Sequence, residues 1–172
     1  MKTVVIPSGE VFIVPKGTHA TITQSLGGSY TIITERGMMV RVAGKEVEAI
    51  GKEPVEEVKI DGLVTKEKLD GLVWDQMKTC YDPEIPVNIV DLGLVYLCEL
   101  DEREEEGLFD LKVKMTLTAP GCGMGPVLAN DVKMKVESLP GIHEAHIEIV
   151  FDPVWDRSMM SEAAKLQLGM YY

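Results

Sequence analysis

The run Thr116-Leu117-Thr118-Ala119-Pro120-Gly121-Cys122-Gly123-Met124-Gly125-Pro126 carries the clearest chemical signal in this chain. An apolar, strand-like stretch from Leu111 to Leu117 feeds a proline- and glycine-rich turn with Cys122 at its tip, and a helical pattern opens near Pro126. A thiol just before a helix N-terminus meets unpaired N–H groups and the positive end of the macrodipole, both of which favour an anion. Such a thiol ionises more readily than a free one, and the thiolate is the species that attacks electrophiles and ligates soft metals. The flanking glycines let backbone approach closely and expose the sulfur. Thr118 ends the strand before the turn, where its hydroxyl could bond the turn or the thiolate. Strand propensity alone accounts for Thr116 and serves equally well for Thr118.

Other candidates carry less. Cys80 lies near a helix end and Cys98 within a strand, where each reads as a small apolar filler. His143 and His146 are three residues apart in a segment that reads as a strand, so they point to opposite faces, and no Cys or His pair stands nearby to complete a metal site. No P-loop, no G-x-G-x-x-G and no C-x-x-C occurs. The run Asp101-Glu102-Arg103-Glu104-Glu105-Glu106 reads as a solvated hairpin tip.

The elements that must position Cys122 follow from periodicity. Residues 1–53 look all-β: Glu10 to Val14, Thr18 to Gln24, Tyr30 to Thr34 and Met38 to Val42 are short runs broken by glycine turns, with a hairpin signal at Gly27-Gly28. This pattern predicts a small barrel or sandwich. Residues 54–62, charged and holding Pro54, read as a linker, although Val55 to Ile60 could add a strand. Residues 63–172 alternate helices and strands. Thr65 is a natural N-cap for a helix over 66–79, with Leu69, Leu72, Val73 and Met77 on one face. One helical turn is expected at 87–91. Strands are expected at 93–100, 108–117 and around Ala145 to Ile149, with a helix after Cys122 and a last one from Ser158 or Ser161 to Leu168. The fold class is α+β: a small mixed sheet packed with helices, preceded by a small all-β module.

The totals set outer limits. With 172 residues, 45% of them apolar, the chain can bury a real core. A net charge of −11 argues against nucleic acid or an anionic membrane as partner. No apolar run approaches the ~20 residues of a membrane span. The opening Met1-Lys2-Thr3-Val4-Val5-Ile6-Pro7 is too short for a signal peptide and is broken by proline. Three cysteines, an odd number, then suggest reduced thiols and a cytoplasmic location.

Five pieces now stand in one order: Asp82-Pro83-Glu84-Ile85-Pro86, Asp91-Leu92-Gly93-Leu94-Val95-Tyr96, the run ending at Cys122, Asp152-Pro153-Val154-Trp155, and Met160-Ser161-Glu162-Ala163-Ala164. Together they resemble the PaaD-like domain of iron–sulfur maturation factors, over roughly 63–172. Residues 15–31 resemble an N-terminal extension that one branch of those factors carries. Val154 stands where a second proline is common, which relaxes the turn because only proline pre-sets φ. The resemblance implies that Cys122 is the family cysteine and that Asp82, Glu84 and Asp91 are the acidic pieces around it. These three could be hard-oxygen iron ligands, a docking edge or a base beside Cys122. Turn capping explains Asp82 and Asp91 equally well.

A resident cluster needs about four cysteine thiolates, and one is placed to serve. The resemblance therefore implies a non-enzymatic factor that transfers or targets clusters through Cys122. It would hold a labile iron–sulfur cluster or iron shared between chains, as in a homodimer, and meet scaffold or carrier proteins and apo recipients. The alternatives are a metal-free adaptor in a cluster-targeting or oxygenase-assembly complex, and a thiol enzyme.

Overall fold

A computed structural model describes residues 1–54, 64–82 and 84–170. It divides the chain into two compact units, Met1–Glu56 and Glu57–Tyr172. The expected linker at 54–62, and with it the possible strand at 55–60, lies outside the described residues apart from Pro54.

The first unit holds β1 (Lys2–Val5), β2 (Val11–Ile13), β3 (Ala20–Leu26), β4 (Ser29–Thr34) and β5 (Met39–Val42). They form one antiparallel sheet of five strands in the order β2-β1-β5-β4-β3. Gly27 and Gly28 both take positive φ, 56° and 75°, the geometry a two-residue hairpin needs. Ile32, Val40, Val42 and Val47 are buried on one face, with Val47 supplied by a 3₁₀ segment, Gly44–Ile50. The sheet is open, which corrects the expectation of a barrel or sandwich. Here β2 and β3 stand at the two edges, and β3, an exposed run rich in Thr, Gln and Ser, offers closure almost nothing to bury. The strand β1 has no counterpart in the sequence reading, which starts its first strand at Glu10.

The second unit holds α1 (Lys66–Met77), β6 (Val95–Glu102), β7 (Phe109–Met115), α2 (Gly125–Glu137), β8 (Ile142–Ile149) and α3 (Glu162–Gln167). Thr65 caps α1 by accepting from the Lys68 N–H at 3.4 Å. The sheet order is β6-β7-β8, antiparallel then parallel, so it is mixed as expected. Along β7, Phe109, Leu111, Val113 and Met115 are buried while Asp110, Lys112 and Lys114 alternate on the other face. The buried row shares one apolar cluster with Leu69, Val73 and Met77 of α1 and Leu128, Val132 and Val136 of α2. At 87–91 a single turn forms, Leu92 N–H to the Asn88 carbonyl at 3.0 Å, tied down by a bridge between Tyr81 and Asn88. Among the described residues no helix is long and apolar enough to cross a membrane.

Candidate functional site

Register places the site. Val95 opens β6 opposite Met115, the last residue of β7, and Met115 lies beside Ile149, the last of β8. The turn carrying Cys122 therefore leaves the sheet at the carboxyl ends of its two parallel strands, where open α/β sheets place their ligands. Gly121 bends the turn with φ 82°. The Cys122 N–H donates to the Ala119 carbonyl at 3.3 Å, and the Cys122 carbonyl accepts from the Gly125 N–H at 3.1 Å. Pro120, Gly121 and Gly123 are exposed and Cys122 itself is half-buried, so solvent reaches the turn around the thiol while its carbon packs on the core.

The helix behind it is less open than the sequence suggests. No side chain caps α2 at Met124. The Gly125 N–H is taken by Cys122, Pro126 has none, and the Leu128 N–H bonds the Met124 carbonyl. Most of the donors expected to converge on an anion are thus spent within the turn. The turn is anchored from below by packing. A Cβ on Gly125 would come within 2.7 Å of Leu117 Cδ1, so the helix starts close against the strand end and any larger residue there would make the Leu117 side chain shift.

Two of the sequence candidates meet directly. Asp82, 6% exposed, accepts from the backbone N–H of Glu84 and of Ile85 through Oδ1, both at 2.9 Å. Its Oδ2 accepts from the Thr118 hydroxyl at 3.2 Å. That bond joins the acidic loop to the cysteine turn across 36 residues. Glu84 is exposed.

Asp91 is committed elsewhere. Its Oδ2 accepts from Asn88 Nδ2 at 2.6 Å and its Oδ1 from the Ser161 hydroxyl at 3.0 Å. The Ser161 N–H also bonds the Asp91 carbonyl at 2.8 Å, and Ser161 in turn caps α3. The same stretch binds the next motif. Trp155 Nε1 donates to the Leu92 carbonyl at 2.7 Å, and the Tyr96 hydroxyl reaches the Pro153 carbonyl at 2.9 Å. Gly93, at φ 71°, lies so close to Met159 that a Cβ would run into its carbonyl. The separate motifs are therefore docked pairs: Asp82 against Thr118, and 88–96 against 153–161. Asn88, Tyr96 and Ser161 were not singled out as functional, because spacing along a chain does not announce a partner 57 or 70 residues away.

An open groove of about 750 Å³ lies at the same end of the sheet, lined by Tyr96, Leu97, Lys114, Val150, Pro153 and Met159 among others. Cys122 is not in its wall. Cys80 is fully buried. Burial pushes the Cys98 thiol up to about 12, with Asp70 and Glu99 adding to the effect, so it stays protonated and unreactive at neutral pH. His143 lies 3.2 Å from Asp110, whose carboxylate also holds Arg103, and His146 is exposed on β8. Among the described residues no three His, Cys, Asp or Glu side chains gather as a metal cluster.

A small α+β domain that lifts one half-buried thiol on a glycine turn over a mixed sheet has recognisable relatives. Residues 72–149 match the sequence family described as iron-sulfur cluster assembly protein, and this chain belongs to that family. It is 46% identical over 93 residues to an Fe-S protein maturation auxiliary factor from Porphyromonas gingivalis, covering 54% of this chain and 84% of that one. It is 43% identical over 89 residues to the Fe-S protein maturation auxiliary factor SufT of Staphylococcus aureus, covering 52% of this chain and 96% of SufT. The crystal structure of a DUF59 domain from Bacillus anthracis superimposes with a TM-score of 0.54 at 32% identity, over 61% of this chain and 95% of that one. The S. aureus protein has almost no length left over for a module the size of the first unit. The likeness of residues 15–31 to an extension rests on the sequence alone.

Proposed function

We propose that this protein serves iron–sulfur protein maturation by transferring or targeting a cluster to recipient proteins, with Cys122 as the group that touches the cargo and without enzymatic turnover. The observation that carries the reading is the half-buried Cys122 set between exposed glycines in a chain of this family. A thiolate is a good ligand for iron, yet a cluster takes about four of them. One thiol per chain suits cargo held briefly, with further ligands drawn from a second copy, a scaffold or carrier protein, or the apo recipient. Weak holding is what a donor needs, because it must release what it carries. Glu84, exposed on the neighbouring loop, is free to meet a partner, whereas Asp82 and Asp91 spend their carboxylates inside the fold.

The test is anaerobic incubation with iron and sulfide, followed by transfer to an apo recipient, for wild type beside Cys122→Ser. Colour, iron content and transfer are expected to depend on Cys122, with an unchanged circular dichroism spectrum. Equal transfer by the two proteins would overturn the role of the thiol. A colourless wild type that still binds its partners would establish a metal-free adaptor instead.

A further inference from the structure

We propose that Asp82 is a positioning residue: it acts on Cys122 only through the Thr118 hydroxyl, and is neither a ligand nor a base. Both of its oxygens are already in use. Oδ1 takes the backbone N–H groups of Glu84 and Ile85, and Oδ2 takes Thr118. At 6% exposure the carboxylate has little access to an arriving ion. A metal would have to break hydrogen bonds to a charged acceptor, which are among the stronger ones a protein makes.

What the bond holds is specific. From Thr118 to Gly125 the chain forms an exposed turn with only two internal backbone bonds, Cys122 to Ala119 and Gly125 to Cys122. Its far end is pinned by buried Met124 and by the close packing at Gly125. Its near end follows buried Leu117 and is tied by the Thr118–Asp82 bond, which among the described residues is the one side-chain bond from the turn to another loop. Release at Thr118 frees one end of this span and lets the thiol swing outward, whereas Cys80 stays buried in the core. The inference takes Cys122 as the reactive group from the preceding reading for its biological meaning, but its test requires no iron, sulfide or recipient.

The experiment is timed alkylation of the intact folded protein with iodoacetamide, each cysteine quantified by peptide mass spectrometry. In Thr118→Val the Cys122 rate is expected to rise about fivefold, the change in open-turn population when one hydrogen bond of ordinary strength is lost. Thr118→Ser, which keeps the hydroxyl, returns it to the wild-type rate. Asp82→Ala raises it as well, and Thr118→Val adds nothing further in that background, because the two residues act through one bond. Cys80, fully buried, is labelled only through unfolding, so its rate rises no further than the stability loss read from the urea midpoint requires, which separates release of the turn from general unfolding. A wild-type Cys122 rate in Thr118→Val, multiplying effects in the double variant, or no rescue by serine would each overturn the assignment. Failure of Cys122→Ser to affect transfer would instead count against the proposed function and leave the positioning role standing.

Discussion

Asp91 and Ser161, 70 positions apart, hold each other twice: hydroxyl to carboxylate at 3.0 Å and N–H to carbonyl at 2.8 Å. The same hydroxyl accepts from the Ala164 N–H at 3.1 Å and so starts α3. One side chain thus joins a helix cap to a tertiary dock, and the two roles can be separated. Ser161→Ala loses both and should cost about 1–2 kcal/mol. Ser161→Asp keeps an equally good cap but sets a carboxylate against Asp91, so it should cost at least as much. Urea unfolding followed by tryptophan fluorescence measures both, because Trp74 and Trp155 are the chain's two tryptophans and both belong to the second unit. Recovery of wild-type stability in Ser161→Asp would show that capping alone matters here.

Gly93 tests the second dock from the other side. Its φ of 71° already disfavours any side chain, and the Met159 carbonyl occupies the space a Cβ would need. Gly107 has a similar φ, 79°, but open space around it. Gly107→Ala should therefore cost about 1–2 kcal/mol, for conformation alone. Gly93→Ala should cost about 3 kcal/mol or more, because the 153–161 segment must also move away. Equal losses in the same urea titrations would mean that Met159 yields without penalty.

These relationships mark where sequence reasoning stops. The hairpin at Gly27-Gly28 and the cap at Thr65 were legible, because each is decided by residues within a few positions of one another. The mixed sheet was legible from the order helix-strand-strand-helix-strand-helix, with alternation in Ala145 to Ile149 marking the last strand. Closure of the N-terminal strands was not, since a count of glycine-bounded runs says nothing about which edges pair. At the site, Cys122 and Thr118 announced themselves by neighbouring residues, whereas the roles of Asp82 and Asp91 depended on contacts that topology alone creates. The resemblance groups both with Glu84 as acidic pieces. The fold divides them: Asp82 turns toward the cysteine turn, Asp91 toward α3, and Glu84 toward solvent.

Cys98 gives a prediction in pH. Its thiol is raised from 9.0 to about 12, chiefly by burial. In the unfolded chain the same thiol ionises near its ordinary value, so above that pH the unfolded state binds fewer protons than the folded one and is favoured. The stability tied to Cys98 is fully present below pH 9.0 and is lost as the pH rises toward 12. Between those limits the urea midpoint should fall more steeply for wild type than for Cys98→Ser. Parallel slopes would mean that Cys98 ionises in the folded protein as it does in the unfolded one.

Thr116 and Thr118 lie two residues apart at the end of one strand, and valine should affect them in opposite directions. The Thr118 hydroxyl donates to Asp82, so Thr118→Val leaves a buried carboxylate short of a partner and should destabilise by about 1–3 kcal/mol. Thr116 is fully buried and its Oγ1 finds no hydrogen-bond partner among the described residues. Its backbone is held independently, through the N–H to the Leu94 carbonyl at 2.8 Å. Replacing an unpaired buried hydroxyl with a methyl of nearly the same size removes a desolvation cost and no bond. Thr116→Val should therefore raise stability by about 1 kcal/mol. The urea midpoint decides: a loss comparable to that of Thr118→Val would place an ordered water on the Thr116 hydroxyl, at the root of the turn that carries Cys122.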